Sequence, residues 1–267
     1  MDAYLFDVDG VITDPVDKKI TKPKLVEILA RKLQDGTPIA LISGRGLQFL
    51  TKQVVSVLEE HLDNHPEMDR SLLDNLFVSG EFGGVYLIHN QGLGEEKVNP
   101  DFSIPEKLRQ QLNAKAEEFT DFALIEHEKR TQFTMEANRG NDFFGKKGKE
   151  IAEALRELAA DYPNLEVRFD RIGMNVKNKN ATKHYCVIQY QNWLRQKNFQ
   201  VDNYLVFGDS PSDFEMGEEL HQQGLPFTFI FVGDKKDLEN KKPNFKIIIT
   251  QGHCDAGTLE YLQLNEY

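Results

Sequence analysis

The strongest constraint on how this chain can fold is a repeated alternation of short apolar runs with segments of helical spacing. Residues 3–6, 39–42 and 76–78 are apolar runs too short for helices, and 203–207, 227–232 and 245–249 repeat the type late in the chain. Between the first two, Leu25, Ile28, Leu29 and Leu33 mark one face of a helix over residues 24–33. Leu50, Val54, Val57 and Leu58 do the same over 47–62, and further helices are expected over 180–195 and 256–264. Continuous apolar strands separated by amphipathic helices are the signature of parallel βαβ units buried on both faces. The expected fold class is α/β, with a Rossmann-like parallel-sheet core.

The alternation breaks after Gly83-Gly84. Residues 85–88 read as a strand and 91–94 as a glycine-rich turn. A helix over 105–119 follows, marked by Leu108, Leu112 and Phe119. Strands over 122–126 and 131–137 form a hairpin, a helix covers 148–162, and strands are expected over 165–169 and 173–176. This is an α+β pattern, and it predicts an inserted cap domain over 84–175 between core segments 1–83 and 176–267. A chain of 267 residues accommodates that division. A formal net charge of -11 argues against general affinity for nucleic acid or an anionic membrane. Two cysteines, Cys186 and Cys254, suggest neither a disulfide framework nor a zinc site. A cytoplasmic protein is expected, with a working strand instead of a signal peptide at its N-terminus and no membrane-spanning run. Its expected state is a monomer or homodimer.

Polar residues cluster where the strands end. Asp7-Val8-Asp9-Gly10 follows the first strand, and Ser43-Gly44-Arg45 the second. Lys183 stands near the start of a helix, and Gly208-Asp209-Ser210-Pro211-Ser212-Asp213 follows a later strand. In open α/β sheets the ligand crevice lies beyond the carboxyl ends of the strands. Extended-chain alternation points Asp7 and Asp9 the same way, and adjacent like charges call for a cation or a shared proton. Each feature has a plainer reading. Asp9-Gly10 can be an Asx-type turn, Ser43 a helix cap, and Asp209 and Asp213 turn residues around Pro211. Lys183 competes with Lys177 and Lys179, which can all be solvated. His184 and Cys186 lie close enough to suggest zinc, although a buried Cys186 packing in the core is the simpler reading.

The order and context of these four motifs resemble those of the haloacid-dehalogenase-like (HAD) phosphohydrolases, across essentially the whole chain. The sequence departs at His184, where the family often has glycine, while Cys186 and Val187 fit the positions after the family lysine. The resemblance implies that Asp7 is a nucleophile forming an aspartyl-phosphate, with Asp9 as general acid and then base. It also implies that Ser43, the Gly44 N–H and Lys183 bind the phosphoryl group. Mg2+ is the implied cofactor, held by Asp7, the Asp9 carbonyl, Asp209 and Asp213, the last directly or through metal-bound water.

Insertion of the cap between the second and third motifs is similar to the sugar-phosphatase branch. That branch includes trehalose-6-phosphate, sucrose-phosphate and mannosyl-3-phosphoglycerate phosphatases. Gly80-Glu81-Phe82-Gly83-Gly84 and, more loosely, residues 125–131 resemble the trehalose-phosphatase group. Glu81, Glu126 and Lys129 are candidate substrate contacts from the cap, against the alternative of exposed hairpin charges. The expectation is a Mg-dependent phosphatase of a small phosphorylated metabolite, with a sugar phosphate favoured. A phosphomutase of the phosphomannomutase type and a catalytically idle HAD-like binding protein remain alternatives.

Overall fold

A computed structural model describes residues 1–138, 146–169, 173–238 and 243–265. The chain divides into two compact units, Met1–Lys97 with Thr182–Tyr267, and Val98–Ala181.

The first unit is built on an eight-stranded sheet, counted among the described residues, in the order β12-β11-β10-β1-β2-β3-β4-β5. Its first segment contains β1 (Asp2–Asp7), α1 (Pro23–Gln34), β2 (Ile39–Ile42) and α2 (Leu47–Leu50). A π-helical turn over Thr51–Val55 leads from α2 into α3 (Ser56–Asp63). Then come β3 (Leu76–Gly80), β4 (Val85–Asn90) and β5 (Leu93–Val98). The second unit contributes α4 (Glu106–Glu117), β6 (Ala123–Ile125), β7 (Phe133–Ala137), α5 (Lys146–Ala159), β8 (Leu165–Phe169) and β9 (Gly173–Asn178). The first unit resumes with α6 (Lys183–Gln196), β10 (Asn203–Gly208), α7 (Phe214–Gln222), β11 (Phe227–Phe231), β12 (Ile247–Ile249) and α8 (Cys254–Leu264).

β1 explains why the unit folds as it does. Tyr4 and Phe6 join the core cluster that includes Leu25, Leu29 and Leu58 from α1 and α3. Ala3 and Leu5 join the opposite cluster, with Val187 and Tyr190 of α6 and Phe214 of α7. The period of two thus puts apolar side chains on both faces, and each face is covered by helices. Asp7 continues the odd-numbered series, on the α6 side. The sheet is parallel from β12 through β3. β1 lies between β2 and β10, where the winding direction reverses; this is the topological switch point at which such sheets bind ligands.

β4 pairs antiparallel with β3, through Val85↔Gly80 to Ile88↔Phe77, so it extends the core sheet. The strand expected at the start of the insert therefore belongs to the first unit, and the division falls at Val98. The second unit carries a four-stranded antiparallel sheet, β6-β7-β9-β8, among the described residues. Leu108 and Leu112 of α4 and Ile151 and Leu155 of α5 pack with Phe133, Met135, Met174 and Val176 to form its own core. Among the described residues no helix is long and apolar enough to cross a membrane.

Candidate active site

The extended chain stops at Asp7. The Val8 carbonyl then accepts from the N–H groups of Val11, Ile12 and Thr13 at 3.1–3.3 Å and from Thr13 Oγ1 at 2.9 Å. Gly10 sits at φ 75°, and a Cβ there would lie 2.5 Å from Asp209 Oδ2. A side chain at residue 10 is thus excluded both by conformation and by the carboxylate beside it.

Asp7 and Asp9 are held by different partners. Asp7 is buried, and its Oδ1 accepts from Lys183 Nζ at 2.5 Å. Asp9 is more open and is held by Arg45, whose Nε reaches Oδ1 and Oδ2 at 3.2 Å and whose Nη2 lies 3.1 Å from Oδ1. Ser43 Oγ stands 3.4 Å from Asp9 Oδ2 and accepts from the Arg45 N–H at 3.0 Å. Lys18 Nζ is 3.9 Å from Asp9 Oδ1. Sequence reasoning quoted Arg45 within its motif but gave it no role, since spacing alone does not turn its side chain back onto Asp9.

The structure distinguishes among the three candidate lysines. Lys177 pairs with Glu166 at 3.3 Å, and Lys179 donates to the Pro163 carbonyl at 2.7 Å, both within the second unit. Lys183 opens α6, with Thr182 capping the helix by accepting from the Tyr185 N–H at 3.2 Å. Its buried ammonium bridges Asp7 and Asp213 Oδ1. The other oxygen of Asp213, Oδ2, accepts from the Asp209 N–H at 2.9 Å, the Ser210 N–H at 2.8 Å and Ser210 Oγ at 3.0 Å. Asp213 thus shapes the loop that presents Asp209. His184 faces Glu218 and Glu219 on α7, while Cys186 is buried in the core with Ser79 Oγ 3.4 Å away, so the two do not form a zinc pair.

Asp7, Asp209 and Asp213 each offer an oxygen, all within 4.8 Å of one another. One ammonium cannot balance three such carboxylates. Burial lifts the Asp7 carboxyl well above its usual range; Lys183 counteracts this, while Asp213, Asp209 and Asp9 add to the rise. Burial, reinforced by Asp213, pushes Asp209 up to about 7. Burial opposes the Lys183 charge, but Asp213 and Asp7 outweigh it and keep the ammonium protonated. A cluster this short of positive charge, with only oxygen donors, fits a hard divalent cation such as Mg2+.

The three residues proposed for the cap separate. Glu81 is buried in the first unit, immediately after β3, because β3 and β4 both belong to the core sheet. It is therefore not a cap residue. Glu126 and Lys129 lie in the second unit and pair at 2.9 Å, with Lys129 only 8% exposed, so it is not a solvated hairpin charge. Arg109 of α4 ties down the same loop by donating to the carbonyls of Lys129, Arg130 and Gln132 at 2.8–3.3 Å.

No family model and no curated protein sequence matches the chain. Solved structures do. The C-terminal domain of trehalose-6-phosphate phosphatase from C. albicans superposes with a TM-score of 0.68 at 19% identity, covering 98% of this chain and 91% of that one. The Aspergillus fumigatus trehalose-6-phosphate phosphatase gives 0.59 at 18% identity, with the same coverage. The Plasmodium falciparum IMP-nucleotidase gives 0.60 at 11% identity, covering 100% of this chain and 63% of that chain. The chain has the HAD-like fold. Within that HAD-like fold, the clustered acids stand at the ends of β1 and β10, the two strands that flank the switch point.

Proposed function

We propose that this HAD-like protein is a magnesium-dependent phosphatase that hydrolyses a phosphate monoester of a small metabolite through an aspartyl-phosphate on Asp7. The observation that carries this reading is the buried Lys183 ammonium shared by Asp7 and Asp213, beside Asp209. It supplies a carboxylate nucleophile, a fixed cation and a set of oxygen ligands at one point.

In the first step an Asp7 carboxylate oxygen bonds to phosphorus as the bond to the leaving oxygen breaks. Asp9 gives its proton to that oxygen. In the second step Asp9 takes a proton from water, the water oxygen attacks phosphorus, and the Asp7–phosphorus bond breaks to release orthophosphate. Ser43, the Gly44 N–H and Lys183 bind the phosphoryl oxygens throughout, where fixed donors are most effective. Asp7, Asp209, the Asp9 carbonyl and, directly or through water, Asp213 would hold Mg2+, which would supply the charge that neutralises the phosphoryl oxygens. Arg45 orients Asp9 between the two steps.

A sugar phosphate is the favoured substrate class. The trehalose-6-phosphate phosphatases among the structural neighbours support it. The IMP-nucleotidase neighbour makes nucleoside monophosphates the necessary comparison. The test is a phosphate-release screen over sugar phosphates, nucleoside monophosphates, phosphoglycolate and an aryl phosphate, with Mg2+ and with excess chelator. Sugar phosphates should be hydrolysed fastest, only with Mg2+, and folded Asp7→Asn should be inactive. Undiminished release by Asp7→Asn would overturn the nucleophile. Return of the phosphoryl group to the sugar instead of to water would make the enzyme a mutase.

A further inference from the structure

Residues 43–46 lie between β2 and α2 and belong to neither, so neither element by itself orients the Ser43–Gly44 peptide. The segment after β3 grips it instead. The Ser43 N–H donates to the Ser79 carbonyl at 2.9 Å, the Glu81 N–H to the Arg45 carbonyl at 2.9 Å, and the Phe82 N–H to the Ser43 carbonyl at 3.1 Å. The Phe82 ring closes over Gly44, where a Cβ would lie 2.6 Å from the ring.

The backbone that accomplishes this is unusual. Glu81 (φ 52°), Phe82 (φ 54°) and Gly83 (φ 89°) are left-handed in succession. Two of them have side chains that disfavour that region. Two other left-handed residues with side chains have local explanations. Asn198 follows the end of α6, and Gln91-Gly92 turns the chain between β4 and β5. The Glu81–Phe82 pair lies in the four-residue loop that turns the chain between β3 and β4, where Gly80 pairs with Val85. What the conformation achieves is the bracketing of Gly44 by two main-chain bonds and one ring. α6 supports the turn from behind: a Cβ on Gly83 would lie 2.6 Å from the Tyr185 ring, and Gln189 Nε2 donates to the Gly83 carbonyl at 3.4 Å.

We propose that Phe82 is a positioning residue for phosphoryl transfer. Held by the left-handed turn, its ring fixes the Ser43–Gly44–Arg45 backbone so that the Gly44 N–H and Ser43 Oγ meet the phosphoryl oxygens. This rests on the reading that Ser43 and Gly44 bind phosphate. Glycine suits a left-handed residue 82 better than phenylalanine, but it leaves Gly44 uncovered. The ring therefore acts on the transferred group and not on the leaving group.

The test compares Phe82→Gly, Phe82→Leu and Gly44→Ala in the full-length protein with Mg2+, using orthovanadate as the phosphoryl mimic. Phe82→Gly should weaken vanadate inhibition and lower kcat/KM for sugar and aryl phosphates by the same factor, on the order of 10- to 100-fold. The Mg2+ activation constant should not move. Phe82→Leu, which restores apolar bulk over Gly44, should recover most of the loss. Gly44→Ala should cost far less in the Phe82→Gly background than in the wild type, because the clash is then gone. Wild-type vanadate affinity and turnover in Phe82→Gly, or additive losses in the double variant, would overturn the proposal. If Phe82→Gly does not fold, Phe82→Ala takes its place: a loss of vanadate affinity that Phe82→Leu largely recovers supports the ring's role, and wild-type affinity in Phe82→Ala overturns it. Failure of the wild-type protein to release phosphate or bind vanadate would instead refute the phosphatase reading.

Discussion

Replacing Lys183 with methionine tests the electrostatic core of the site. Lys183, Asp7 and Asp213 are all nearly inaccessible, so solvent cannot take over the missing charge. Removing one partner of a buried ion pair costs about 3–5 kcal/mol, chiefly because the remaining charge is stranded. Here two carboxylates are stranded, Asp7 at 2.5 Å and Asp213, which puts the expected loss toward the upper end. For a chain of this size that corresponds to a fall in Tm of roughly 6–10 °C. The pH dependence identifies the cause. Burial already raises the Asp7 carboxyl, and loss of the ammonium raises it further. A carboxyl whose pKa is higher in the folded state than in the unfolded state stabilises the fold at low pH and loses that contribution as pH rises through the folded value. The deficit of Lys183→Met should therefore be small at pH 5 and largest at pH 8. Mg2+ should restore part of it, and adding Asp213→Asn should destabilise by less than the sum of the two single changes. Circular-dichroism melts in chelator and in Mg2+, across that pH range, measure all three effects. A Lys183→Met protein within about 1 kcal/mol of wild type at pH 8 in chelator would refute the reasoning, since a stranded buried charge cannot be that cheap.

Asp209, pushed up to about 7 by burial and Asp213, costs about 4 kcal/mol to ionise in place compared with an ordinary carboxyl. Stability without metal should fall as pH rises toward and through 7, and Mg2+ should raise Tm more at pH 8 than at pH 6. Asp209→Asn should remove most of that difference in melting curves. Arg109→Ala, which removes the donor to the carbonyls of Lys129, Arg130 and Gln132, should speed amide hydrogen exchange across that loop, and unchanged exchange would show that Arg109 does not hold it.

Much of this architecture was legible because burial writes itself into sequence. β1 is covered on both faces, so its apolar run is continuous and its acidic end conspicuous. β4 was recognised as a strand, but its partner was not, because alternation reveals an exposed or buried face and says nothing of which edge it joins. β5 carries no strand signal: Leu93–Val98 is an edge strand, nearly all exposed, with the polar sequence Gly-Glu-Glu-Lys in its middle. α7 is masked in the sequence because the polar motif ending at Asp213 runs directly into Phe214, Met216 and Leu220, which begin its buried face. Among the site residues, the acids and Lys183 were marked by type and position. Arg45 on Asp9 and Phe82 over Gly44 were not, because both depend on loop geometry. No local residue pattern announces two left-handed side-chain-bearing residues in a row.

The pairing of β1 with β10 has a consequence for synthesis on the ribosome. Asp2 pairs with Asn203, so β1 acquires its second neighbour only after the whole intervening α+β unit has emerged. That unit has its own hydrophobic cluster and can condense while the growing chain still lacks β10. Until then β1 and β2 are a nascent sheet with one central edge open, an aromatic-rich surface that invites pairing with the wrong chain. The acids suffer the same delay: Asp7 meets its counter-ion only when Lys183 arrives and its neighbouring acids later still. A chain cut before Asn203, and so lacking β10, should therefore aggregate through β1, while the excised segment spanning the second unit remains the more tractable piece to express.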